Sequence, residues 1–248
     1  MPRLRLPTVL DSLNTLVEFQ VPMASVLDVG VLAGTAPLIK LFAHLPHYLF
    51  EPVEAHFSAI AAAYRDVSHQ LFPVALSDED GTAWQIGVCI DGTGEVTHSR
   101  LSDTPVAANE APGLVECKPV KKARLDTLLA GETPPEPALL KIDVDGQELR
   151  ILSGAEQTLK KTAVVVIEAT VHSFLERASY LCERGFRLYD IADLAYYYDT
   201  FWQADLVFVR EDIAAANPHL QPWQSKPFQW SSYTTLNREF FDSHLKRE

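Results

Sequence analysis

The chain lacks the cysteine pairs that would staple a small scaffold: Cys89, Cys117 and Cys182 stand far apart among 248 residues and form no CxxC. That spacing disfavours a disulfide framework and a thiolate zinc site, and it fits a reducing compartment. Cations are also scarce. Lysine and arginine number 21 against 33 aspartates and glutamates, a formal charge of -12. A grip on phosphate backbones needs clustered cations, so no nucleic-acid partner is expected. No apolar run reaches the roughly 18 residues of a membrane span. The N-terminal MPRLRLPTVLDSLNTL, interrupted by prolines and Asp11, never builds the apolar stretch of a signal peptide. The expectation is a cytoplasmic protein with no membrane partner. Apolar material is plentiful: hydrophobic residues make up 47% and charged residues 22%, which suits one large core or a core with an appended segment.

Strand and helix patterns alternate, as in a parallel sheet. Residues 8 to 19 put Val9, Leu13, Leu16 and Val17 on one helical face, and Val26 to Gly30 reads as a buried strand ending in a turn. A helix is predicted from near Thr35, with Pro37 in its first turn, then a strand at Tyr48 to Phe50 that exits at Glu51. A helix over about 53–64 and a strand from Leu71 to Leu76 follow, the latter stopped by the turn chemistry of Ser77-Asp78-Glu79-Asp80-Gly81. Residues 82 to about 137 read as an excursion with two short strands, too small to bury a core of its own. Alternation resumes with a strand from Ala138 to Val144, a helix from Gln147 to about Lys160, and the apolar strand Ala163 to Glu168. A helix from about Phe174 to Glu183 precedes strands at Phe186 to Asp190 and Asp205 to Val209. The segment between these last two has no helical pattern, so an antiparallel pair is expected. The resulting division is an N-terminal helical segment over 1–22, an α/β domain over 23–210, and an extension over 211–248 rich in aromatics, among them Trp223, Phe228, Trp230, Tyr233, Phe240 and Phe241. The extension reads as a lid, as a dimer arm that would make a homo-oligomer, or as an outer layer of the core.

Ligands of open α/β sheets bind beyond the carboxyl ends of the strands. Here those exits are acidic: Asp28-Val29-Gly30 with Gly34 four residues on, Glu51, Ser77-Asp78, Asp143-Val144-Asp145-Gly146 and Glu168. Such a rim suits a cationic or hydroxyl-rich ligand. The first turn separates two cofactor classes. A dinucleotide site uses G-x-G-x-x-G to clasp a pyrophosphate, whereas this loop has Asp28 where the first glycine would stand. A carboxylate there would repel a pyrophosphate and suit the ammonium and sulfonium of S-adenosyl-L-methionine, with Gly30 and Gly34 admitting close backbone approach. Glu51 can accept bonds from both hydroxyls of a ribose, in NAD as well as in S-adenosylmethionine. Asp28 and Glu51 could also merely cap the following helices, and Asp143 could be an ion-pair partner of Lys141 or Lys40. Glu148, in the first turn of its helix, suits the helix dipole alone.

The segments VLDVGVLAGT, FEPVEAHF, ALSDEDGTA, ARLDTLL, LLKIDVDGQELRILSGAE, VVVIEA and QADLVFVR, in that order across roughly residues 24 to 210, resemble the FkbM family of S-adenosylmethionine-dependent methyltransferases. The most specific stretch is KIDVDGQELRILSGAE, similar to the family's K-I-D-V-E-G-x-E-x-x-V-L-x-G-A. Two residues depart from the family: Leu32 stands where its loop usually carries Asn, and Asp145 replaces the Glu of D-V-E-G. The resemblance implies a class I methyltransferase Rossmann-like fold. Its seven-stranded, mostly parallel sheet would run in the order 3-2-1-4-5-7-6, with the last strand antiparallel and helices on both faces. It further implies S-adenosyl-L-methionine as cofactor and O-methylation of a hydroxyl on a sugar or natural-product small molecule, so a small-molecule or glycan acceptor is the expected partner. The expected cofactor-binding residues are Asp28, Gly30, Gly34, Glu51, Ser77, Asp78 and Asp143. For the base that takes the acceptor's proton, Asp143 leads, followed by Glu168 and His172. No metal site is assigned, because Asp143 and Asp145 supply too few ligands unless Glu168 or His172 joins them. The alternatives are an NAD-dependent oxidoreductase, disfavoured by the missing glycine and the absence of a Tyr-x-x-x-Lys pair near the fourth strand, and a catalytically inactive nucleotide-binding module of the same fold.

Overall fold

The computed structural model describes residues 5–221 except 91, 95, 97 and 108, together with 227, 230 and 233–236. Helix α1 (Val9–Glu18) is started by the Thr8 hydroxyl, which accepts from the Asp11 amide at 3.1 Å. Strand β1 (Ser25–Val29), α2 (Ala36–Phe42) with proline in its first turn, β2 (His47–Phe50), α3 (Phe57–Ala63) and β3 (His69–Phe72) follow. Pro73 has no amide hydrogen to continue β3. The strand expected over Leu71 to Leu76 is therefore two, and its second part, β4 (Ala75–Leu76), joins another sheet. The excursion builds β5 (Gly81–Val88), β6 (His98–Ser102), β7 (Leu114–Ala123) and α4 (Leu125–Leu129). Strand β8 (Ala138–Ile142) then returns to the main sheet. The helix expected from Gln147 to Lys160 is broken into α5 (Glu148–Ser153) and α6 (Glu156–Lys160). Between them lies Gly154, where a Cβ would stand 2.1 Å from the Ser77 carbonyl oxygen. Strand β9 (Thr162–Thr170), α7 (Phe174–Glu183), β10 (Phe186–Tyr197), β11 (Thr200–Arg210) and α8 (Glu211–Ala216) complete the main body.

The main sheet has seven strands in the order β10-β11-β9-β8-β1-β2-β3, and β4-β7-β5-β6 form a second sheet. In whole-chain numerals this is 3-2-1-8-9-11-10. The numerals differ from the expected ones because the four strands of the second sheet, β4 to β7, intervene. Strand β11 runs antiparallel to both β9 and β10. The segment between the last two strands, expected to have no helix, is mostly strand, closed by Tyr198 and Asp199 in left-handed conformations. Helices α5, α6 and α7 pack against Leu27, Leu140, Val165, Ile167 and Phe208 on one face; α1, α2 and α8 cover Val26, Leu139, Val164, Val166 and Val207 on the other. Among the described residues, no helix is long and apolar enough to cross a membrane. Of the C-terminal aromatics, Trp230 and Tyr233 make an edge-to-face pair 5.9 Å apart, whereas Trp223, Phe228, Phe240 and Phe241 lie outside the described residues.

Candidate active site

Because alternate residues of a strand share a face, register decides which charges meet. Asp28 lies opposite Lys141, and Glu168 lies opposite Asp205. Asp143 comes two residues after Lys141, its amide still bonded to the Val29 carbonyl at 3.0 Å. The Lys141 ammonium is buried at the centre. It donates to the Gly30 carbonyl at 3.0 Å and pairs with Asp143 at 3.1 Å and Asp28 at 3.7 Å. Three oxygens around one ammonium offset its desolvation, which by itself would lower its pKa; the carboxylates win and the pKa is raised.

Two cavities open at this rim. One, of about 250 Å³, is walled by Glu51, apolar residues such as Phe50, Val53, Leu76 and Ile151, and β6 of the excursion, with Glu168 at its edge. The other, of about 280 Å³, lies on the α1/α2 side and is walled by Lys141, Asp193, Asp205, Thr35 and Val9. Gly30, Leu32 and Asp143 line both. Asp143 is the leading sequence candidate and sits where the chambers meet, its side chain 45% exposed. Strand β6 is fastened to this rim by the Ser99 amide, which donates to Asp145 at 2.9 Å.

Several expected contacts are not brought together. Asp28 is fully buried and lines neither cavity. Its position in β1 turns the carboxylate onto α3, where it accepts from the Tyr64 hydroxyl at 2.9 Å, and onto Lys141. Through Lys141, which holds the Gly30 carbonyl, it supports the loop from beneath. Ser77 and Asp78 follow β4 of the second sheet and not a strand of the main one; Ser77 is buried and Asp78 pairs with Arg150 at 2.8 Å. His172 is exposed in the turn after β9 and lines neither cavity. Glu51 follows β2 and lines the first cavity, though its oxygens already serve the chain: Oε2 accepts from the Leu32 amide at 3.0 Å and Oε1 from the Val53 amide at 2.9 Å. Burial pushes its carboxyl up, against the pull of those amides. Each oxygen keeps a second lone pair for a ligand hydroxyl.

The glycines also act differently from expectation. A Cβ on Gly30 would stand 1.9 Å from the Asp143 carbonyl oxygen, and one on Gly34 would stand 2.8 Å from Ala63 Cβ. Both make room for neighbouring chain, and both have positive φ, +77° and +119°. Leu32 between them is left-handed too, at φ +52°. Asparagine adopts that conformation far more readily than leucine, so Leu32 is held there against its own preference.

Asp205 was not anticipated as a site residue. Because β11 is antiparallel, its first half, not its end, reaches the carboxyl rim, and an acid opening the expected strand Asp205 to Val209 was the available signal. Burial, with Asp143 adding repulsion and Lys141 opposing it, pushes the Asp205 carboxyl up to about 7. Glu168 is pushed up to about 8 by burial and then by Asp143, Glu148 and Asp205. Gln203 Nε2 donates to Glu168 Oε1 at 2.5 Å. Arg177, itself buried, donates to the Glu168 backbone carbonyl and pairs with the buried Glu148. Glu148 is thus the anchor of a strut joining the Asp143–Gly146 turn to β9. Among the described residues, no group of three or more His, Cys, Asp or Glu is arranged to hold a metal ion.

Both raised carboxyls bind protons more tightly in the folded chain than in the unfolded one. Their stabilisation is complete below the ordinary carboxylate range and is lost as pH rises through about 7 for Asp205 and about 8 for Glu168. The thermal midpoint is therefore expected to fall between pH 5 and pH 9, and to fall less in a Glu168→Gln/Asp205→Asn variant. An equally steep decline in that variant would show that other groups set the slope.

The family model for the methyltransferase FkbM domain matches residues 28–188. The chain belongs to the FkbM methyltransferase family. That membership favours methyl transfer over the nicotinamide alternative. Among curated proteins no sequence match is found. Solved structures with a similar fold include the precorrin-6y C5,15-methyltransferase of Geobacter metallireducens, at 12% identity over 81% of this chain and 87% of that one, TM-score 0.43. An rRNA methylase from Streptococcus thermophilus matches at 13% identity over 80% and 96%, TM-score 0.42. A putative methyltransferase from Streptococcus mutans in complex with SAH matches at 12% identity over 84% and 100%, TM-score 0.42.

Proposed function

We propose that this FkbM-family protein is an S-adenosyl-L-methionine-dependent O-methyltransferase acting on a hydroxyl of a sugar or natural-product acceptor. The observation that carries this reading is the Asp143 carboxylate as shared wall of two chemically different chambers. One joins the Glu51 carboxylate, with lone pairs left for vicinal hydroxyls, to the apolar Phe50, Val53, Leu76 and Ile151, a set matched to a ribose and a flat base. The other sets the Lys141 ammonium beside Asp143, Asp193 and Asp205, a set matched to an amino-acid zwitterion. The donor chemistry therefore fits the cofactor, which when bound supplies a methyl group already activated on sulfonium.

The chain's task is then to position and to move a proton. Lys141 fixes the Gly30 carbonyl, and Glu51 fixes the Leu32 amide, so the loop is held from both sides. Asp143, half exposed and steadied by Lys141, takes the acceptor hydroxyl's proton. Glu168, which holds a proton through neutral pH, offers a donor to the acceptor oxygen and keeps its orientation through Gln203.

Titration calorimetry with S-adenosylmethionine and with NAD tests the reading. The parent is expected to bind the former. Glu51→Ala is expected to weaken that binding by roughly 1.5–3 kcal/mol, the worth of bonds to a charged acceptor. Binding of NAD in place of S-adenosylmethionine would refute the assignment, and an unchanged affinity in Glu51→Ala would remove Glu51 from the site.

A further inference from the structure

Strand β9 ends at Thr170, opposite Gln203 of β11. The β10–β11 hairpin continues past that point, beyond the carboxyl end of β9. Its far end is aromatic. Tyr197 packs with Trp202 at 6.2 Å and Tyr198 at 4.6 Å; Phe201 packs with Tyr196 at 6.3 Å and is backed by Phe174 of α7 at 6.1 Å. Tyr196 and Tyr197 are 64% exposed, and Tyr198 is 86% exposed. Large solvated rings grouped in this way mark a recognition surface. The turn supplies a second observation. A two-residue turn with both residues left-handed ordinarily takes Asn-Gly, yet here Tyr198 and Asp199 occupy it at φ +49° and +59°. A tyrosine is held in a disfavoured conformation at the tip, where its ring projects furthest into solvent.

We propose that the aromatic end of the β10–β11 hairpin is the docking platform for the acceptor, and that it takes a neutral, hydroxyl-rich ring such as a pyranose of an oligosaccharide. The inference rests on the O-methyltransferase reading and adds where the acceptor is held. Tyrosine and tryptophan offer a flat apolar face together with a polar edge, which matches a sugar's C–H face and its hydroxyls. Asp199 at the tip and the Gln203–Glu168 pair at the base add hydrogen-bonding groups along the same hairpin. The chain's charge of -12 opposes an anionic ligand. On the same strand Gln203, next to Trp202, donates to the Glu168 carboxyl.

The test uses the full chain, Trp202→Ala/Tyr198→Ala and Trp202→Phe, each checked for fold by circular dichroism and for S-adenosylhomocysteine affinity by calorimetry. An immobilised array of neutral oligosaccharides is the probe, with choline as a cationic control. The parent is expected to retain a subset of the oligosaccharides. The double variant should lose at least ten-fold of that retention, Trp202→Phe should keep most of it, and S-adenosylhomocysteine affinity should be unchanged in all three. Retention of no oligosaccharide by the parent, equal retention by the double variant, or tighter binding of choline than of any oligosaccharide would overturn the proposal. So would a dimer of the parent in sedimentation that the double substitution dissociates, because the patch would then be a surface between copies. Failure of the methyltransferase reading is separate and appears as a parent that does not bind S-adenosylhomocysteine.

Discussion

Asp143→Asn is expected to lower methyl transfer by about 10²–10⁴-fold while leaving S-adenosylmethionine affinity within a few-fold, the range for loss of a positioned base. The amide is nearly isosteric and still accepts from Lys141, so the loop held through the Gly30 carbonyl is undisturbed. What disappears is the ability to take a proton. The measurement is transfer of a labelled methyl group to a mixed glycan pool, alongside calorimetry. A readout independent of the acceptor accompanies it: Asp143 is the leading charge that raises both Glu168 and Asp205. Both carboxyls should titrate at lower pH in the variant when followed by carbon-13 NMR. Parental turnover in Asp143→Asn would eliminate Asp143 as the base and leave Glu168 as the candidate in the cavity.

Gly30→Ala is expected to destabilise the protein by roughly 2–5 kcal/mol, combining a left-handed alanine with overpacking. The added carbon would lie 1.9 Å from the Asp143 carbonyl oxygen and 2.9 Å from Val144 Cγ1. Backbone, not a flexible side chain, must give way, and the ends of β1 and β8 would be pushed apart. Cofactor affinity should fall together with stability, since Gly30 lines both chambers. Denaturant unfolding followed by calorimetry gives both quantities. Parental stability in Gly30→Ala would mean that the two strand ends move apart freely and that the loop has no fixed geometry.

The central strands were legible because they are buried on both faces: β1 and β8 are apolar almost throughout and have no exposed position. The same uniformity hid the orientation of Asp28. With apolar residues on both sides of it, nothing in the sequence indicates which face its carboxylate takes, and the pairing with Lys141 decides. Strand β6 was missed because His98–Ser102 is polar and half exposed, with no period to detect. It nevertheless supplies a wall of the Glu51 chamber. The glycine spacing was visible, but the reason for it was not, since Asp143 and Ala63 are far from the loop in sequence and approach it only in the fold.

The placement of β1 between β2 and β8 bears on how the chain is made. Ser25 finds its partner Ala138 only after more than a hundred further residues have been added, on the order of 5–20 s at ordinary synthesis rates. Until then β1 is an edge strand, apolar on both faces, with a full row of unpaired backbone groups. The nascent chain is therefore most exposed to misassociation over the interval in which the excursion is being synthesised. Slowing of translation within residues 82–137 lengthens the lifetime of that open edge, whereas the same delay once β8 has left the ribosome does not.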